Sequence, residues 1–145
     1  MPILNYTTSI DPHRTVGEIQ KLLATKGATG ILTEYAGGEP SAIAFQINQA
    51  GQQLRYRLPC RAKAVYAILQ REHRAGKVER RFTSEQHAMR VAWRIVKDWI
   101  EAQLALVESG MADTAEVFMP YQLVEGDQTM YEVMQQRLLS GPAQS

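Results

Sequence analysis

The sequence predicts an α+β domain: an N-terminal helix, a three-stranded antiparallel meander, a helix, a long C-terminal helix and a short extended segment. Three observations carry that prediction. Three successive runs alternate apolar and polar residues with the two-residue period of a strand. Short turns separate them, and consecutive strands joined so tightly pair antiparallel. On either side of these runs the apolar spacing changes to the period of an amphipathic helix. A chain of 145 residues has room for one domain with a real core.

Residues 1–13 lack periodicity and read as an extended arm, ahead of a single domain over 14–121 and a partly disordered tail over 122–145. Thr15 with Glu18 forms a capping box, and Val16, Ile19, Leu22 and Leu23 mark a helix face that Gly27 stops. Ile31, Thr33 and Tyr35 then alternate with Leu32 and Glu34, and Ala36 to Pro40 make a turn. Ile43, Phe45 and Ile47 give a second strand. Leu54, Tyr56 and Leu58 alternate with Gln53, Arg55 and Arg57 in a third, which Pro59 ends.

A second helix over about 61–75 turns Ala62, Val65, Ile68 and Leu69 inward and Arg61, Arg71 and Arg74 outward. After the basic linker 77–81, Thr83 with Gln86 is a second capping box, opening a helix over about 84–109. Its stripe runs through Val91, Ile95, Trp99, Ala102 and Leu106. Val96, Ile100, Leu104 and Val107 widen the apolar surface beyond what one face of a small sheet covers. That excess predicts a second copy docked on the long helix through Trp93, Trp99, Ile100 and Leu104. Glu116 to Tyr121 read as an edge strand or docked extended segment, 129–139 as a weak amphipathic helix, and 140–145 as disordered. The helices are expected on one sheet face, leaving the face with Arg55 and Arg57 open or covered by another chain.

The net charge of +1 conceals a strong asymmetry. Residues 55–97 hold 12 basic side chains against 3 acids, whereas 98–145 hold one against 8. Arg55 and Arg57 share a strand face, and Arg61 and Lys63 follow at a helix start, where unpaired backbone N–H groups also favour an anion. Arginine's planar fork suits phosphate. Against this stands a solvated face paired with the acidic C-terminal part, or cations that block edge-to-edge pairing. Arg80, Arg81 and Phe82 form a second candidate, two cations beside an aromatic ring able to stack on a base. The competing reading makes Phe82 a hydrophobic staple at the helix start.

Catalytic chemistry has little support. His13, His73 and His87 lack metal-ligand spacing, and the single Cys60 excludes both an internal disulfide and a cysteine-rich metal site. Cys60 reads as a small core residue rather than a nucleophile. Asp98 and Glu101 read as the solvated face of the long helix, with Lys97 paired to Glu101. No cofactor or metal site is expected. No run approaches the roughly 18 apolar residues of a membrane span, and the N-terminus does not read as a secretory signal, so an intracellular setting is expected.

The stretches Asn5 to Thr8, Thr15 to Ile19, Arg57-Leu58-Pro59, Glu116 to Tyr121 and above all Arg90 to Gln103 resemble a family of small uncharacterised phage and prophage proteins. The similarity covers about 3–124. It implies a mobile-element origin and an accessory role in the host cytoplasm, and brings no assigned activity. The helix–three strands–helix order is also similar to a double-stranded-RNA-binding domain, with Arg61 and Lys63 at its helix-start lysines; its Gly-Pro-x-His loop is replaced here by Gly37-Gly38-Glu39-Pro40. The expected function is therefore a non-enzymatic phage accessory protein. It would bind nucleic acid or a nucleotide-type phosphate ligand, serving replication and recombination or sequestering a host defence signal. The alternative is a protein–protein interaction module that self-associates or inhibits a host protein.

Overall fold

A computed structural model describes residues 1–140. Helix α1 (Pro12–Thr25) leads into β1 (Ala28–Ala36), β2 (Glu39–Gln49) and β3 (Gln52–Pro59), followed by α2 (Ala62–Arg74) and the long α3 (Glu85–Glu108). A short α4 (Thr114–Phe118), a small hairpin of β4 (Leu123–Glu125) and β5 (Gln128–Thr129), and α5 (Met130–Ser140) complete the order. The fold is the α+β arrangement of helix, antiparallel meander and helices that the periodicities predict, extended by the hairpin and α5.

The meander runs β1-β2-β3, and both connections are two-residue turns. Gly37 and Gly38 have φ of 59° and 82°, and Ala50 and Gly51 have 52° and 80°. Positive φ at both central positions matches the right-handed twist of the flanking strands. On one face of the sheet Ile43, Phe45, Ile47, Tyr56 and Leu58 pack against Val16, Ile19 and Leu23 of α1 and Trp93, Ile100 and Leu104 of α3. The Trp93 indole N–H donates to the Pro40 carbonyl, 3.1 Å away, so its one polar atom is satisfied inside the core.

Several boundaries differ from the sequence reading. Helix α1 starts at Pro12, capped by Asp11, whose carboxylate accepts from the His13 N–H. Thr15 and Glu18 instead receive Arg94, whose Nη1 donates to Thr15 Oγ1 at 3.3 Å and Glu18 Oε2 at 2.7 Å. A capping box and a docking point for a distant arginine use the same residue types, and only tertiary contacts distinguish them. At α3 the cap is Ser84, accepting from the His87 N–H, while the Thr83 hydroxyl turns back to the Arg80 carbonyl.

The arm is anchored rather than merely extended: Asn5 Nδ2 donates to Asp98, the Ile3 N–H to Glu72, and Tyr6 contributes its carbonyl to His87. Helix α2 does not lie on the sheet. It packs on α3, where Leu69, Val78 and Ala88 form a second cluster with Tyr6, Val65, Tyr66 and Phe82.

This sandwiching explains the wide apolar surface of α3. Trp93, Ile100 and Leu104 are buried within the chain itself, and Trp99 packs edge-on against Phe118 and Tyr121, with ring centroids 5.6 and 5.4 Å away. Ala102 and Leu106, expected in the stripe, face solvent. The stretch 116–121 is α4 followed by a 3-10 turn at Met119–Tyr121, not a strand. Its signal was Asp113, whose N–H donates to Glu116 Oε1 in the first turn. Beyond it the tail is ordered into the hairpin and α5, and Gln122 bridges to Tyr56 along the outer edge of β3. Residues 141–145 of the expected disordered end lie outside the described residues.

Candidate functional site

The two-residue side-chain period puts Arg55 and Arg57 on the sheet face away from α1, as expected. Gln46 lies opposite Arg55 in register, Ala44 opposite Arg57, and Leu32 opposite Ala44. These residues floor a groove of about 710 Å3, walled by Leu123 and Asp127 of the hairpin. The groove is not a cationic cradle. Arg57 is held in a two-pronged pair with Glu34, Nε to Oε2 at 2.8 Å and Nη2 to Oε1 at 3.0 Å. Those bonds hold the Glu34 carboxyl below its ordinary range and raise the Arg57 guanidinium, burial opposing both. With Asp127 on the wall, two cations face two carboxylates.

Arg61 and Lys63 do not join them. Arg61 occupies the N-cap of α2 without a side-chain capping bond, and Lys63 stands in its first turn. Both line a separate depression with Glu39, Ser41, Cys60 and Met89. Burial pushes the Cys60 thiol up to about 12, which keeps it protonated and a poor nucleophile at neutral pH. Glu132 feels the positive charge of Arg57 and Arg61, although its carboxyl is lowered chiefly by the Thr129 backbone N–H. The four-residue junction is thus divided, and among the described residues Arg57 alone of its four cations is held in an ion pair.

Arg80, Arg81 and Phe82 form the 3-10 turn before α3. Phe82 meets Tyr6 edge-on at 5.6 Å and His87 at 5.1 Å, while the Arg81 guanidinium lies 4.6 Å over its ring. Phe82 therefore closes the second cluster, much as a staple does, rather than presenting a bare ring.

The larger unpaired positive surface is α2. Lys63, Ala67, Arg71 and Arg74 are all exposed, and at about 100° per residue they fall on one side of the helix. Lys77 and Arg80 continue past its end. Among the described residues none of these five cations has an ion pair; the basic residues of 55–97 that do are Arg57, Arg81, Arg94 and Lys97. Glu72, the one acid of the helix, is turned to the Ile3 N–H. The outward Arg71 and Arg74 were legible in the helical period; the loss of Arg57 to Glu34, 23 residues away in sequence, was not.

Among the described residues no group of three or more His, Cys, Asp or Glu could hold a metal, and no helix is long and apolar enough to cross a membrane. No protein-family model matches the chain, and neither does any curated protein or solved structure.

Proposed function

We propose that this chain is a non-enzymatic phage accessory protein of the host cytoplasm that binds the phosphate backbone of nucleic acid through the solvent face of α2. The observation that supports this reading is the row Lys63, Arg71 and Arg74, exposed and, among the described residues, without carboxylate partners, with small Ala67 between them. From Lys63 to Arg74 the helix rises about 16 Å. A compact nucleotide cannot occupy a row of that length, whereas successive phosphates of a polymer can. Such contacts supply affinity without reading sequence, a role that fits replication or recombination better than sequestering a small signal. The resemblance of Arg90 to Gln103 to small phage proteins supports the origin.

The test is binding of a fluorescent duplex as a function of salt. If about five phosphates are neutralised, log affinity against log salt should have a slope near −4.5. Replacing Lys63, Arg71 and Arg74 together by alanine should bring that slope to about −2. A wild-type slope shallower than about −1, or an unchanged slope in the folded variant, rejects the proposal.

An interaction module remains a second reading, on a different surface from the one first expected. Tyr131, Met134 and Leu138 lie at helical spacing on α5 and are 48%, 47% and 77% exposed. An apolar row of this kind on the outer helix suits a second copy or a host protein.

A further inference from the structure

The N-terminal arm meets the start of α3 over a pocket of about 370 Å3, with Thr7 to Ser9 on one side and Arg81, Phe82, His87 and Arg90 on the other. Among the described residues no carboxylate lines it. Its two guanidiniums are held in place by unlike means. Arg81 rests over the Phe82 ring, and its ion pair with Glu79, 3.1 Å long, joins two side chains that are each 70% exposed. Such a pair is easily exchanged.

Arg90 is positioned through His87, which is buried. The Tyr6 carbonyl can only accept, so His87 Nε2 carries the hydrogen and donates to it. Nδ1 is then the acceptor, and it receives Arg90 Nη2 at 3.3 Å. This chain of bonds fixes the guanidinium plane from a distant backbone group. The Arg90 Nε–H is left with neither solvent nor an acceptor, and Arg90 forms no ion pair among the described residues.

We infer that this pocket is a binding site for a phosphate-class oxyanion. A tetrahedral dianion can accept from the guanidinium groups of Arg90 and Arg81 that line the pocket while the hydroxyls of Thr7 and Ser9 donate to its remaining oxygens. Charge-assisted bonds from a guanidinium are the strong kind for such a group. The site is independent of the α2 reading, since Lys63, Arg71 and Arg74 do not line it. Its ligand is either free phosphate or the terminal phosphate of a strand, which present the same chemistry.

Calorimetric titration with inorganic phosphate tests the site on the full chain. Wild type should bind, and Arg81→Ala and Arg90→Lys should each weaken binding about tenfold or more, the second because lysine cannot supply the fork. The combined Lys63, Arg71 and Arg74 alanine variant should bind phosphate as wild type does, which separates this site from the helix face. Arg81 is exposed, so Arg81→Ala remains informative even if Arg90→Lys fails to fold. No heat with wild type at millimolar phosphate, or unchanged affinity in Arg81→Ala, overturns the inference. Competition by 5′-phosphorylated and 5′-hydroxyl oligonucleotides then identifies the source. Preference for the phosphorylated strand assigns the pocket to a strand end, and equal competition with retained phosphate binding assigns it to the free anion.

Discussion

Tyr56 sits at the centre of an aromatic cluster, 5.2 Å from Phe45 and 5.9 Å from Phe118 between ring centroids, and its hydroxyl has no partner among the described residues. Burial alone raises its pKa. An unpaired buried hydroxyl costs about 1–3 kcal/mol, so Tyr56→Phe should stabilise the fold by about 1 kcal/mol in urea denaturation. A clear loss of stability would mean that the hydroxyl has an acceptor. Glu34 gives a pH signature. Its two bonds to Arg57 hold its folded-state pKa below the ordinary 4.5, so the stability it contributes is present above that value and lost as pH falls through the lowered one. Glu34→Gln should flatten the pH dependence of melting below about pH 4.5. Both side chains are about one-third exposed, so the effect at neutral pH should be about 1 kcal/mol or less.

At the scale of elements, α4 shows how a five-residue helix can be held. Alone it is far below the length at which helices persist in water. Phe118 is fully buried and meets Phe45 and Trp99 edge-on at 5.4 and 5.6 Å, so the element is a plug for the core that the sheet and α3 leave open. Phe118→Ala should cost about 3–5 kcal/mol and release the segment after Gly110, read as earlier hydrogen exchange of α4 and the hairpin. An unchanged melting curve would contradict this. The same segment shows why it read as an edge strand or docked extended piece: Val117 and Tyr121 pack on the core from a helix and a 3-10 turn too short for a helical period to develop.

Across the whole molecule the charge asymmetry of the sequence becomes a division of surfaces. Five cations without ion pairs among the described residues, Lys63, Arg71, Arg74, Lys77 and Arg80, gather on α2 and the loop after it, while Glu125, Asp127 and Glu132 belong to the hairpin and α5 beside β3. The exposed apolar residues of α5 lie in this acidic part. If that row joins copies, light scattering should show a dimer that persists in high salt, because an apolar contact is not screened. Leu138→Asp with Met134→Asp should return a monomer, and a wild-type monomer at micromolar concentration would reject the contact.

Elements whose signal is local were decided by the sequence itself: the two tight turns, the inward rows Ile43-Phe45-Ile47 and Tyr56-Leu58, the extent of α3, and the outward cations of α2. Each rests on periodicity or on turn chemistry, which neighbours along the chain are enough to specify. Pairing was decided only by the tertiary structure. Glu34 takes Arg57, Glu18 takes Arg94, Phe118 and α1 take the core face of α3, and His87 takes Arg90 beneath the arm. Except for His87 and Arg90, one turn apart, these partners are far apart in sequence, and an arginine or an apolar row looks the same beforehand whether its partner is solvent, a ligand or the chain itself. The charge asymmetry was therefore visible from the start, whereas which cations remain available to a ligand depended on where the acids came to rest.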